Sequence, residues 1–122
     1  MLWNFKTDRP IYTQLLEQIQ MRIISGVYPP GSQLLSVREL AAEAAVNPNT
    51  MQRALAELER MELVYTKRTA GRFITGDMEK IEECKNSLVI AQVEEFCERM
   101  KQFGLTEEEV ELLLKKQFEV KK

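Results

Sequence analysis

The stretch Ser36 to Arg60 constrains the chain more than any other, because it holds two helix starts eleven positions apart. Ser36 with Glu39 three residues on is the capping-box pairing, in which each side chain satisfies the other's backbone N–H. Asn47 is a good N-cap, and Pro48 takes the first helical position, where its missing N–H costs nothing. Two starts this close allow only two short helices and a tight turn. No glycine separates them, so Ala44 or Ala45 must make that turn. Val37, Leu40, Ala41 and Ala44 give the first helix its apolar side, and the small residues from 41 to 45 let the two helices approach closely.

The second helix buries Met51, Leu55 and Leu58, with Ala54 alongside and Val46 and Met51 as a hydrophobic staple. At the helical period, Asn49, Arg53, Ala56 and Arg60 fall on the opposite face, with Gln52 on its shoulder. Amides and arginines bond base edges, and alanine permits close approach, so this face suits the DNA major groove. An ordinary solvated helix can carry the same residues, and the face alone does not decide.

The next residues do more. Leu63 to Thr66 and Arg72 to Thr75 favour strands, and Lys67-Arg68-Thr69-Ala70-Gly71 lies between them. The result is a hairpin with a basic tip, placed directly after the outward-facing helix. Helix, helix, helix, hairpin is the order of a winged helix-turn-helix. Lys67, Arg68 and Arg72 would then sit over a phosphate backbone or in the neighbouring minor groove. A basic edge that merely deters aggregation is the competing explanation.

Upstream, Leu2, Trp3 and Phe5 suggest an extended arm that tucks its aromatics onto the body. A helix begins near Pro10 and buries Tyr12, Leu15, Leu16, Ile19 and Ile23 along one face. Gly26 ends it as a left-handed cap. Val27 to Ser32 reads as a turn, a Pro-Gly linker between helices.

Charge settles the division of labour. The net charge of −2 over 122 residues would seem to disfavour nucleic acid. Residues 1–76, however, hold nine Lys/Arg against seven Asp/Glu, and residues 77–122 hold eight against twelve. The front is mildly basic and the back would be repelled by phosphates. No apolar run approaches the length that crosses a bilayer, and the first ten residues lack a signal-peptide core. A cytoplasmic location is expected. With no histidine, no phosphate loop and no paired carboxylates at a cleft, neither an enzyme nor a metal or other cofactor is expected. Cys84 and Cys97 lie on one expected helix roughly 20 Å apart, too far to pair, and read as buried thiols.

Residues 77–122 read as a dimerisation tail. A long helix capped by Asp77 runs to Phe103, and Gly104 closes it. Ile81, Cys84, Leu88 and Ala91 make one apolar line, and Val89, Val93, Phe96, Met100 and Phe103 make a second. Thr106 with Glu109 opens a last helix bearing Val110, Leu113, Leu114 and Phe118. Two such helices have more apolar surface than they can bury against each other, so packing on a symmetry mate is expected. A small-molecule effector has no dedicated domain here. It would have to bind among Cys84, Leu88, Phe96 and Met100, residues better explained as packing.

Several motifs now combine: Pro10-Ile11-Tyr12-x-Gln14, Gly26 through Gly31-x-x-Leu34, Ser36-x-Arg38-Glu39-Leu40-Ala41, Val46-Asn47-Pro48-Asn49-Thr50, Ala54-x-x-Glu57-Leu58 and Gly71-x-Phe73-Ile74. In order, spacing and identity they resemble the GntR family of bacterial transcription regulators. The short tail and the turn at 46–50 resemble its YtrA-type branch. The resemblance implies that Arg38 and the turn Asn47, Pro48, Asn49 and Thr50 meet DNA, that Gln52 and Arg53 lie at the start of the recognition helix, and that Gly71 lets the wing backbone approach the minor groove. It also implies a small dimeric repressor, often beside a membrane-transporter operon. Leu35 stands where the family usually has proline, and Thr69-Ala70 replaces a more basic wing tip. Glu62 stands where glycine is usual, so either the helix end differs or Glu62 adopts a left-handed conformation at some cost.

The expected architecture is mainly α with a small β-hairpin: a winged helix-turn-helix in residues 1–76, then a two-helix dimerisation tail. The expected function is a homodimeric regulator of transcription that binds a double-stranded DNA operator. A winged helix serving only protein interaction is the alternative, supported by the acidic total charge.

Overall fold

The structure, a computed structural model, describes residues 2–120. In chain order it contains α1 (Ile11–Ile24), α2 (Val37–Ala44), α3 (Pro48–Arg60), β1 (Val64–Lys67), β2 (Gly71–Ile74), α4 (Met78–Gln102) and α5 (Glu107–Val120). Packing divides the chain into two compact units, one ending at Lys85 and one beginning at Asn86, so the break falls inside α4.

The first unit is built on three helices. Leu15, Ile19 and Ile23 of α1, Leu40, Ala41 and Ala44 of α2, and Met51, Ala54, Leu55 and Leu58 of α3 form one buried cluster. Burying each of the leucine, isoleucine and methionine side chains contributes about 1.5–3 kcal/mol before entropy is counted. Val46 packs against the same cluster as Met51, as a staple requires. The capping box at Ser36 and Glu39 is complete, and the Asn47 side chain accepts from the Asn49 N–H at 2.7 Å. The turn between α2 and α3 is made by Ala45, in a left-handed conformation at φ 57°. That conformation costs an alanine about 1–2 kcal/mol. The Val46 N–H closes the turn on the Ala41 carbonyl at 3.0 Å.

β1 and β2 pair antiparallel, with Val64 opposite Ile74 at the base and Lys67 opposite Gly71 at the tip. The linker expected at residues 27–32 is more than a turn. The Gly31 N–H bonds the Ile74 carbonyl, the Ile74 N–H bonds that of Ser32, and the Leu34 N–H bonds that of Arg72. Gln33 bridges to Phe73, so residues 31–34 line the outer edge of β2. One bridge is too short to leave an alternating pattern in the sequence.

The arm tucks in as expected. The Asn4 backbone exchanges two hydrogen bonds with the Gln18 amide, and Lys6 does the same with Gln14. Trp3 stacks on Phe5, donates to Glu43 of α2 at 2.9 Å and lies under the Arg22 guanidinium.

The first turns of α4 belong to the first unit. Ile81 is 5% exposed within its core and Cys84 packs against it. Ile81, expected in the dimerisation set, is thus already covered by its own chain and Cys84, expected there too, is covered in part, while Cys97, expected as a buried thiol, is exposed. Burial pushes the Cys84 thiol up, and only a hydrogen bond from Gln20 opposes that. In the second unit, α4 continues to Gln102, Gly104 takes φ 81°, and Thr106 and Glu109 cap α5 reciprocally. Among the described residues no helix is long and apolar enough to cross a membrane.

Candidate nucleic-acid interface

The exposed side of α3 carries the residues its periodicity put there. Asn49, Gln52, Arg53, Ala56 and Arg60 are exposed, while Met51, Ala54, Leu55 and Leu58 are buried behind them. Asn47 and Pro48, at the entry to the helix, are exposed, and Thr50 is half-buried. The Asn47 side-chain oxygen accepts in the cap, and its NH₂ is left to donate outward. The Arg53 guanidinium rests over the Tyr12 ring of α1, 4.3 Å from its centroid. An arginine held this way loses less rotamer freedom when it meets a base edge.

Ion pairing sorts the basic residues of residues 1–76. Arg9 pairs with Glu17, Arg22 with Glu43, Arg60 with Glu57 and Arg72 with Glu59. Lys6, Arg38, Arg53, Lys67 and Arg68 have no carboxylate partner among the described residues. Four of these five are residues expected to face DNA. The near-neutral total therefore hides an uneven surface, in which acids are spent inside the unit and cations stay available on one set of elements. Arg38 is exposed in the first turn of α2, and Arg68 is exposed at the hairpin tip. Lys67 lies over the Phe73 ring at 4.6 Å.

Arg72 is the exception. Its Nε donates to Oε1 of Glu59 at 2.6 Å, and the arginine side chain is only 21% exposed. It was expected on phosphate because sequence shows charge but not pairing, and here one of its N–H groups is engaged by a carboxylate. Burial alone would raise the Glu59 carboxyl, but hydrogen bonds from Arg72 and Thr66 and the Arg72 charge outweigh it and bring it down. A lowered carboxyl stays ionised at neutral pH, and the pair is lost only as acid reaches that lowered value.

Gly71 is fixed by local geometry. Its φ is +102°, and a Cβ there would sit 3.3 Å from the Gln33 amide nitrogen. That amide donates to the Ala70 carbonyl and braces the tip from the side. Gln33, Tyr12, Glu59 and Arg22 are contributors that sequence reasoning missed. Only Tyr12 left a trace, as a polar-tipped ring on an otherwise aliphatic face. Between the start of α2 and the hairpin lies an open groove of about 630 Å³, lined by Gln33, Leu35, Ser36, Thr66, Ala70 and Arg72 among others. Among the described residues no group of three or more acidic or cysteine side chains is placed to hold a metal ion.

Glu62, just after α3, takes φ 64°, and its carboxylate pairs with Lys80 at 2.7 Å. Of the two alternatives open at this position, the left-handed one is realised.

The remaining expected dimer residues lie on the second unit. Leu88 and Met100 are half-buried, while Val89, Val93, Phe96, Leu113 and Leu114 are exposed, Val93 by 54%.

Comparison with known proteins agrees with this geometry. The family model described as bacterial regulatory proteins, gntR family, matches residues 11–74. The chain is 42% identical over 107 residues to the Bacillus subtilis HTH-type transcriptional regulator YhcF, itself uncharacterised, covering 88% of each chain. It is 36% identical over 97 residues to the B. subtilis HTH-type transcriptional repressor YtrA, covering 80% of this chain and 70% of that one. A GntR family transcriptional regulator from Listeria monocytogenes superposes with TM-score 0.86 at 41% identity, over 92% of this chain and 98% of the other.

Proposed function

The chain belongs to the GntR family of bacterial regulatory proteins, and from that premise we propose that it is a repressor that binds an inverted-repeat operator as a homodimer. It is a DNA-binding helix-turn-helix transcriptional regulator and not an enzyme. One observation carries the placing of DNA: of the five Lys/Arg side chains in residues 1–76 without a carboxylate partner among the described residues, four lie on α2, α3 and the hairpin, the elements that a winged helix turns to DNA. Each subunit sets α3 into a major groove. Asn49, Gln52 and Arg53 read base edges, while Arg38, Thr50, Lys67 and Arg68 fix register on phosphates.

Dimerisation is supported by the apolar side chains that one chain leaves uncovered on α4 and α5, Val89, Val93, Phe96, Leu113 and Leu114 among them. Repression is supported by the relative YtrA, which is named a repressor. Control of a transporter operon in the cytoplasm is part of the same proposal, and rests on the resemblance to the YtrA-type branch alone. The acidic total charge, which favoured a protein-interaction module, is accounted for by internal ion pairs and the acidic tail.

Footprinting on a duplex enriched by the protein from a random-sequence pool tests this reading. Two protected half-sites are expected, about one helical turn or roughly 34 Å apart, or at a longer spacing set by the tail. A single protected half-site bound by a monomer sinks the dimeric reading.

A further inference from the structure

Three side chains meet near the end of α3. Oε1 of Glu59, the next-to-last residue of the helix, accepts from Oγ1 of Thr66 at 2.7 Å and from Nε of Arg72 at 2.6 Å. Thr66 belongs to β1 and Arg72 to β2, and they face each other on the third of the four rungs. The core anchors the hairpin at its base, through Val64 and Ile74, and residues 31–34 brace it along the outer edge of β2, leaving the α3 side to a third contact. A two-stranded hairpin is marginal without further support. One oxygen therefore ties both strands, one rung below the tip, to the helix that bears Asn49, Gln52 and Arg53. The arginine and glutamate side chains are 21% and 33% exposed, so the pair is less screened than a surface ion pair.

The geometry points to Glu59 as a positioning residue for the wing: through Thr66 and Arg72 its carboxylate sets where Lys67 and Arg68 stand relative to the reading side of α3. The inference rests on the hairpin being a DNA-contacting wing. Phosphate contacts fix register while base contacts specify, so the two work together only if their spacing is held. The same contact takes up the Nε–H of Arg72 and sets a carboxylate against its charge. Losing the carboxylate then lets the tip swing and releases a cation that attracts any duplex.

The full chain carrying Glu59→Gln is compared with the wild type on a duplex enriched by the wild type from a random pool and on a scrambled duplex. Preference for the enriched duplex should fall roughly tenfold, the effect of one charged hydrogen bond. Salt dependence on the scrambled duplex should steepen toward one more phosphate contact. In a cycle with Arg72→Gln, the double variant should lose no more preference than Glu59→Gln alone. Thr66→Val breaks only the β1 half and should show a smaller loss, which keeps the test open if Glu59→Gln folds poorly. NMR relaxation of the tip amides, without DNA, should show larger motion in Glu59→Gln. Preference within about twofold of wild type in both Glu59→Gln and Thr66→Val overturns the role, as do Glu59→Gln and Arg72→Gln losses that simply add. A Lys67→Ala, Arg68→Ala control separates the two claims. If it leaves wild-type binding unchanged, the hairpin is not a wing and the functional reading of it fails. If it weakens binding while Glu59→Gln does not, only the positioning role fails.

Discussion

Arg53 and Lys67 are both cations laid over aromatic rings, yet they should behave differently when removed. Arg53 stands on the exposed side of α3 beside Gln52, the side proposed to meet base edges, where a good bidentate contact discriminates by about 1–3 kcal/mol. Arg53→Ala should therefore relax sequence choice, with a larger loss on a matched operator than on a scrambled one. Lys67 ends β1 at the tip, and Lys67→Ala should weaken both duplexes alike and reduce the salt slope by about one. Gel shifts across a salt series distinguish the two, and equal losses on both duplexes for Arg53→Ala would count against base reading. Glu62 shows the other side of residue-level inference. Its departure from glycine was visible in the sequence, but whether the backbone still went left-handed was not. The structure keeps φ at 64° and attaches the side chain to Lys80, so the strain sits in a joint that is also tethered.

Among the elements, α1 carries more than its apolar face predicts. Leu15, Ile19 and Ile23 were legible from their spacing, but Gln14 is 2% exposed and the pattern gave no reason for it. Its amide donates to the carbonyls of Lys6 and Arg9, both at 2.8 Å, and accepts the Lys6 N–H. The arm is thereby paired to the helix by a side chain instead of a strand. Gln14→Leu keeps the volume but leaves these backbone groups without partners, which should cost about 1–3 kcal/mol. A lower denaturant midpoint and faster hydrogen exchange at the Lys6 amide are expected, and an unchanged exchange rate would mean the arm is held without Gln14. In the hairpin, by contrast, the strands, the tip and the preference for glycine at position 71 were all foreseeable. The edge pairing of residues 31–34 and the Glu59 tie were not, because both join segments distant in sequence.

For the whole molecule, the open question is what covers the tail. A lone chain exposes Val93, Phe96, Leu113 and Leu114 on α4 and α5, more large apolar surface than a helical pair of this size keeps in water. Val93→Glu places a charge among those exposed side chains and should weaken self-association by roughly a hundredfold or more. Light scattering coupled to size exclusion should then report monomers at concentrations where the wild type is a dimer. Operator affinity should fall with it, because two half-sites no longer bind as one. A wild type that is monomeric at every concentration would refute the dimer.

The sequence by itself determined the elements, their order and which side of α3 is exposed. Caps, turn residues and apolar spacing are local properties, and each acts within a few residues of where it is written. It also fixed the family, since the motifs keep their spacing from Pro10 to Ile74. Tertiary structure alone decided which charges remain available. Arg72 and Arg38 look alike on the page, and only folding brings Glu59 to one and no carboxylate to the other. It likewise drew Ile81 and Cys84 into the first unit's core, because a helix that begins at the end of a hairpin must pack its first turns on whatever apolar surface lies beside it.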